Sequence, residues 1–262
     1  KHFDWRIKSD NVAFLKDVVQ GICRCIYSFT DVNDHILIQP PVYQPFHSLV
    51  KLTGRQLLMN PLVKICGIND IKVLNELIGI DEISFLGFIF YQSSPRHITE
   101  DFLNELKNID FKNKRPVCVY VNETKEFIQS TSSYFEDPIL QFHGNETNEF
   151  CSSFKKEFWK VLRVKNDISK NEVLEYKDAS AILFENYKKN QPGGTGSSFD
   201  WNLLKNMENL DIKIIISGGI NIKNVDNAIN AKPWCVDINS GVESSAGVKD
   251  LNQIYEILKF FK

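Results

Sequence analysis

The stretch KIIISGG, residues 213–219, decides the fold. Its consecutive isoleucines are β-branched and suit a pleated, buried strand better than a helix. The run stops at Ser217-Gly218-Gly219, where glycines let the backbone take turns that other residues resist. The same pattern, a short apolar run closed by polar or glycine residues, recurs along the chain. It is read at LVKICGI (62–68), FLGFIF (85–90), PVCVYV (116–121), PILQFHG (138–144), FWKVLRV (158–164), ASAILFEN (179–186) and CVDINSG (235–241). Between the runs lie segments such as TEDFLNELKNI (99–109) and DLNQIYEILKFF (250–261), with apolar residues at helical spacing. Eight strands, each followed by a helical stretch, within roughly 200 residues predict an α/β fold, a minimal (β/α)8 TIM barrel. An open doubly wound sheet seldom needs eight parallel strands in so short a chain.

In such a barrel chemistry gathers at the C-terminal ends of the strands. Those ends read Cys66-Gly67, Gln141-x-His143-Gly144, Glu185-Asn186, Ser217-Gly218-Gly219 and Asp237-x-x-Ser240-Gly241. Glycine turns and helix N-termini expose backbone amides that can hold a phosphate, and the ends of strands seven and eight are the usual place for one. Gly218, Gly219, Ser240 and Gly241 are therefore candidate phosphate-binding residues.

The length fits one large α/β domain or two smaller ones. The chain has 262 residues, 43% of them hydrophobic, enough for a large core. A net charge of -2 gives no global attraction to nucleic acid or an anionic membrane, and no apolar run is long enough to span a bilayer. The cysteines, Cys23, Cys25, Cys66, Cys118, Cys151 and Cys235, follow no repeating spacing and read as reduced thiols of a cytoplasmic protein. No ligand-spaced metal cluster emerges, and no cofactor is expected. The expected partner is a phosphorylated small molecule, with neither nucleic acid nor membrane, and the chain reads as a monomer or homodimer.

The segments VKICGI (63–68), GFIFYQSSPRHI (87–98), PVCVYVN (116–122), LQFHGNE (140–146), GGTGSSFDW (193–201), ISGGIN (216–221) and VDINSGVESSAGVKD (236–250) stand in one order. Together they resemble phosphoribosylanthranilate isomerase, an enzyme family of tryptophan biosynthesis, over residues 62–262. The resemblance implies an Amadori rearrangement of N-(5-phosphoribosyl)anthranilate by general acid and base catalysis. It assigns Cys66 as the base, which requires a thiol pKa below the usual value of about 8.5. Lys64, two residues away on the same strand face, is a cation that could serve this. Glu185 falls where the family places its catalytic acid, there an aspartate, so the carboxyl here sits on a longer stem. Arg96 matches the arginine that pairs with the anthranilate carboxylate. Gly194 and Thr195 lie in a mobile loop that folds over the ligand. Asp237 faces the ribose or bridging amine, or else caps the next helix, and His143 orients a partner or forms a simple hydrogen bond. The alternative function is an impaired phosphate-binding barrel remnant.

Residues 1–61 do not fit the barrel. AFLKDVVQGICRCIYSF (13–29) reads as a helix, HILIQPPV (35–42) as a strand, and SLVKLTGRQLLMNP (48–61) as a helix followed by a strand. The segment FTDVNDHILIQPPVYQPFHSLVKLTGRQLLMNPL (29–62) resembles part of a pyridoxal-phosphate C–S lyase of the cystathionine β-lyase type. In that family the tyrosine matching Tyr43 stacks on the cofactor, but the Schiff-base lysine would fall where this chain is already barrel. The expectation is an α/β, aminotransferase-like fragment, truncated and without function.

Overall fold

The computed structural model describes residues 14–38, 43, 45–58, 60–107, 109–186, 198–207, 210 and 212–261. The chain divides into two compact units, Lys1–Asn60 and Pro61–Lys262.

The leading unit holds α1 (Val18–Phe29), β1 (His35–Leu37), α2 (Pro45–Leu52) and β2 (Gln56–Leu58), with β1 and β2 paired in parallel. Asp17 starts α1 by accepting from the Gln20 amide at 2.7 Å. The buried Arg55 ties the pieces together, donating from Nε to Thr30 Oγ1 at 3.0 Å and from its Nη atoms to the carbonyls of Thr53 and Thr30. Among the described residues of this unit only Ile26 and Val50 are fully buried apolar side chains, while Phe14, Val18, Phe29 and Leu52 are exposed. The helix and strand expectations for 13–29 and 48–61 hold; of the strand at 35–42, residues 39–42 lie outside the described residues.

The second unit is a closed, all-parallel barrel. Its strands are β3 (Leu62–Cys66), β4 (Ile83–Ile89), β5 (Arg115–Tyr120), β6 (Ile139–Phe142), β7 (Phe158–Val164), β8 (Ala181–Asn186), β9 (Ile214–Ile216) and β10 (Cys235–Ile238), and β10 pairs with β3 to close the ring. All eight runs read from the sequence are strands. Most crossovers are short α-helices begun by a side-chain cap: Asp70 accepts from the amides of Lys72 and Val73 before α3 (Ile71–Ile78), and Thr99 does the same for α4 (Glu100–Leu106). Between β8 and β9 the described helical piece is a 3-10 segment, Trp201–Met207.

The two-residue period of a strand decides which side chains meet the site. On β3, Val63 and Ile65 join the outer core between sheet and helices, which leaves Lys64 and Cys66 on the opposite face with Leu62. On β8, Ile182 and Phe184 face outward and Ala181 and Leu183 inward, so Glu185 follows them inward. On β10, Cys235 is inward and Val236 and Ile238 outward, which turns Asp237 inward. Phe85, Trp159 and Trp234 plug the barrel floor with ring centroids 4.9 to 5.9 Å apart, Trp159 meeting both others edge to face and Phe85 tilted against Trp234. Apolar below and polar above, the interior opens toward the C-terminal ends of the strands.

Candidate active site

At that mouth lies a cavity of about 340 Å³ lined by Cys66, Arg96, Gln141, His143, Glu185, Ser217, Gly218, Gly219, Asp237, Asn239 and Ser240, among others. Eight of the residues singled out in the sequence thus meet in one space. Gly241 is not among the lining residues, and Gly194 and Thr195 of the GGTG loop lie outside the described residues.

Cys66 ends β3 and is 4% exposed. Burial pushes its thiol pKa up; Lys64 and, less strongly, Lys249 pull it down, while Asp237 pushes it up again, and the net shift is upward. The expected lowering is therefore not found, because an interior that excludes water penalises the thiolate more than one buried cation offsets. Lys64 is fully buried, held by an ion pair to Asp237 Oδ1 at 2.9 Å and a hydrogen bond to Gln141 Oε1 at 2.9 Å. The room for this pair comes from Gly87 on the neighbouring strand: a Cβ there would stand 2.8 Å from the Cys66 sulfur and 3.0 Å from Cε of Lys64.

Asp237 also accepts from Ser217 Oγ at 3.1 Å. The helix-capping alternative for Asp237 is overturned, since its oxygens are engaged inside the barrel and Asp250 caps the following helix, α9 (Leu251–Leu258). Glu185, 4% exposed, places Oε2 2.8 Å from His143 Nε2. His143 is thus a direct neighbour of the carboxyl.

Arg96 gives Nε and Nη2 to the two oxygens of Glu243 at 2.8 and 2.7 Å. Lys249 holds the same carboxylate at 2.6 Å and reaches Asn239 as well. Burial alone would raise the Glu243 pKa, but these donors and charges bring it below the usual carboxylate range. A further carboxylate would meet the guanidinium by its remaining Nη1–Nη2 edge. Gly67, at φ +74°, lets Arg96 pass: a Cβ there would lie 2.7 Å from Arg96 Cδ.

Gly218 and Gly219 both have positive φ, 92° and 67°, and turn the chain sharply off β9. Gly241 permits a close approach: a Cβ on it would fall 1.8 Å from the Ile220 carbonyl oxygen, so it lets two turns of the rim touch.

Sequence reasoning placed Gln141 and Ser217 at the strand ends without giving them a role, and missed Asn239, Glu243 and Lys249 as parts of the site. The signal for Gln141 and Ser217 was present, because each shares its strand's inward parity with the apolar residue two before it. Glu243 and Lys249 belong to a hairpin of β11 (Glu243–Ser245) and β12 (Val248–Lys249) that no periodicity announced.

A closed ring of eight parallel strands with a thiol, carboxyls and glycine turns at one mouth is the architecture of the (β/α)8-barrel enzymes. Residues 63–260 match the family model described as N-(5'-phosphoribosyl)anthranilate (PRA) isomerase. An N-(5'-phosphoribosyl)anthranilate isomerase of Caldanaerobacter subterraneus is 35% identical over 202 residues, 75% of this chain and 96% of that protein. One of Legionella pneumophila is 38% identical over 213 residues, covering 77% and 98%. The crystal structure of phosphoribosyl anthranilate isomerase from Thermotoga maritima superposes with a TM-score of 0.67 at 29% identity, covering 77% of this chain and 98% of that one. The chain belongs to the N-(5'-phosphoribosyl)anthranilate isomerase family. The match begins at residue 63 and leaves the leading unit outside it. Among the described residues of that unit Tyr43 is 64% exposed, and the lysine the resemblance requires would fall where the chain is already barrel.

Proposed function

We infer that the barrel unit catalyses the Amadori rearrangement of N-(5-phosphoribosyl)anthranilate to 1-(2-carboxyphenylamino)-1-deoxyribulose 5-phosphate, a step of tryptophan biosynthesis. The observation that carries the mechanism is the single cavity shared by Cys66 and Glu185. Protonated Glu185 gives its proton to the furanose ring oxygen; the C1–O bond breaks and C1 becomes an iminium carbon. Cys66, as thiolate, removes the C2 proton, and the electron pair flows through C1 to nitrogen to give an enolamine. The Cys66 thiol then returns its proton to C1 while the O2 proton passes to the Glu185 carboxylate, which gives the ketone and restores both groups. Substrate and product are isomers, so no oxidant or reductant is needed and acid and base suffice.

Arg96 takes the anthranilate carboxylate, as a planar guanidinium does. Amides of the Gly218-Gly219 turn and the segment at Ser240 hold the phosphate. Asp237 keeps Lys64 beside the sulfur and faces the sugar. Lys64 and Lys249 supply the positive field in which a thiolate, once formed, is stabilised. Against the rival reading, an impaired remnant, stands the longer Glu185, which still delivers its carboxyl to the cavity. The leading unit is a passenger fragment of an aminotransferase-like fold.

The deciding experiment follows the loss of phosphoribosylanthranilate fluorescence with purified full-length protein and with residues 62–262. Turnover by both is expected, and turnover by neither would refute the isomerase reading.

A further inference from the structure

Behind the Glu185–His143 contact lies a cluster whose own side chains are not among those lining the cavity. Lys160 sits on β7 between Trp159 and Val161, which face the barrel interior; its own parity is that of Phe158, Leu162 and Val164, which pack outward against the helices. Its ammonium is buried and pairs with Glu146 Oε2 at 2.8 Å, the two side chains being 1% and 3% exposed. A lysine inside the run FWKVLRV was the sequence signal for this pair.

The pair acts on one dipeptide. Lys160 Nζ donates to the Gly144 carbonyl at 2.8 Å, and the Gly144 amide donates to Glu146 Oε2 at 2.9 Å. The preceding residue is held as firmly, with the His143 amide on the Tyr120 carbonyl at 2.8 Å and the His143 carbonyl accepting from Arg163 Nη2 at 2.6 Å. All four backbone polar groups of His143-Gly144 are thereby fixed. Glu146 Oε1 also accepts the Asn122 amide at 2.7 Å, tying the turn to the end of β5.

A buried ion pair is poor evidence for stability, because an apolar pair of similar volume is often as stable or more so. Fixing a geometry explains it better. Glu185 has a flexible stem and touches the imidazole of His143 at 2.8 Å, so the place of that ring limits where the carboxyl can go. We propose that Lys160, Glu146 and Arg163 are positioning residues that clamp His143, and through it the Glu185 carboxyl, for proton delivery. The proposal rests on the reading of Glu185 as the acid.

Lys160→Met combined with Glu146→Gln removes both charges together and leaves neither stranded. The expected result is a kcat loss of about 10- to 100-fold with KM within about twofold, the scale on which small misplacements act. Placed on a His143→Asn background, the same pair of changes should cost less than about threefold more, because groups acting in series are non-additive. Independently of turnover, the His143 ring resonances of 15N-histidine-labelled protein should shift or broaden in the Lys160→Met, Glu146→Gln variant while its circular dichroism is unchanged. Fully additive losses, a loss carried by KM, or an unmoved His143 resonance would each overturn the clamp. Wild-type turnover by Glu185→Gln would instead overturn the acid reading and the catalytic consequence drawn from it, and is told apart by a His143 resonance that still responds to the clamp mutations.

Discussion

Lys64 and Asp237 are register partners across the seam where the last barrel strand meets the first, and their charged groups touch at 2.9 Å directly beside Cys66. One ion pair thus joins the two ends of the barrel and sets the field at the proposed base. Lys64 carries a pKa above its ordinary value: burial lowers it, but Asp237 and the neighbouring thiol more than compensate. Lys64→Met leaves Asp237 as an uncompensated buried charge, so urea unfolding should show a loss of about 3–5 kcal/mol. A change within experimental scatter would mean that the pair contributes little to closing the ring.

The buried thiols make an alkaline prediction. Burial raises the pKa of Cys66, Cys118, Cys151 and Cys235, that of Cys151 up to about 12. In the unfolded chain these thiols ionise near the ordinary value of about 8.5, so above it the unfolded state loses protons that the folded state keeps. Stability is therefore full below about pH 8.5 and falls as pH rises beyond it. Urea midpoints measured from pH 7 to 10 should decline, and Cys118→Ala should flatten the decline.

Glu185→Gln keeps the shape of the side chain and removes the transferable proton, and its kcat should fall by about 100-fold or more. Glu185→Asp, which restores the residue the family resemblance calls for, should retain most of the rate. Equal turnover by the Gln variant and the wild type would end the assignment.

Arg96→Lys replaces a planar fork by a point charge and cannot make both contacts to Glu243. Steady-state kinetics should show KM raised by about 10- to 100-fold, the equivalent of a lost charge-assisted bond or two. An unchanged KM would place the anthranilate carboxylate elsewhere.

Gly241→Ala drives a methyl group into the Ile220 carbonyl oxygen, 1.8 Å from the ideal Cβ position, and the two rim turns must then move apart. Thermal unfolding should shift down by several degrees, as expected for a loss of about 1–3 kcal/mol from overpacking, and KM should rise with it. An unaltered Tm would show that the rim yields more easily than its contacts imply.

Much of this was legible in the chain because it depends on neighbours in sequence. Each barrel strand is an apolar run stopped by polar or glycine residues, and strand parity carries Lys64 with Cys66 and Gln141 with His143 to one side. The leading unit was legible in its elements alone. What failed was anything measured by its surroundings. The Cys66 thiol reads as activated from the nearby lysine, yet its burial outweighs that charge. Asp237 reads equally as a cap or a site residue until Ser217 and Lys64 are seen to hold it.

The sequence by itself determined the ring of strands and, through its ordered motifs, the family, because strand period and turn chemistry act over a few residues. Only the tertiary structure decided which charges meet: Arg96 with Glu243, His143 with Glu185, Lys160 with Glu146. The first pair is separated by 147 positions and the second by 42. Such partnerships, and the burial that sets each group's proton affinity, arise only when closure of the barrel brings distant strand ends together and excludes water from between them.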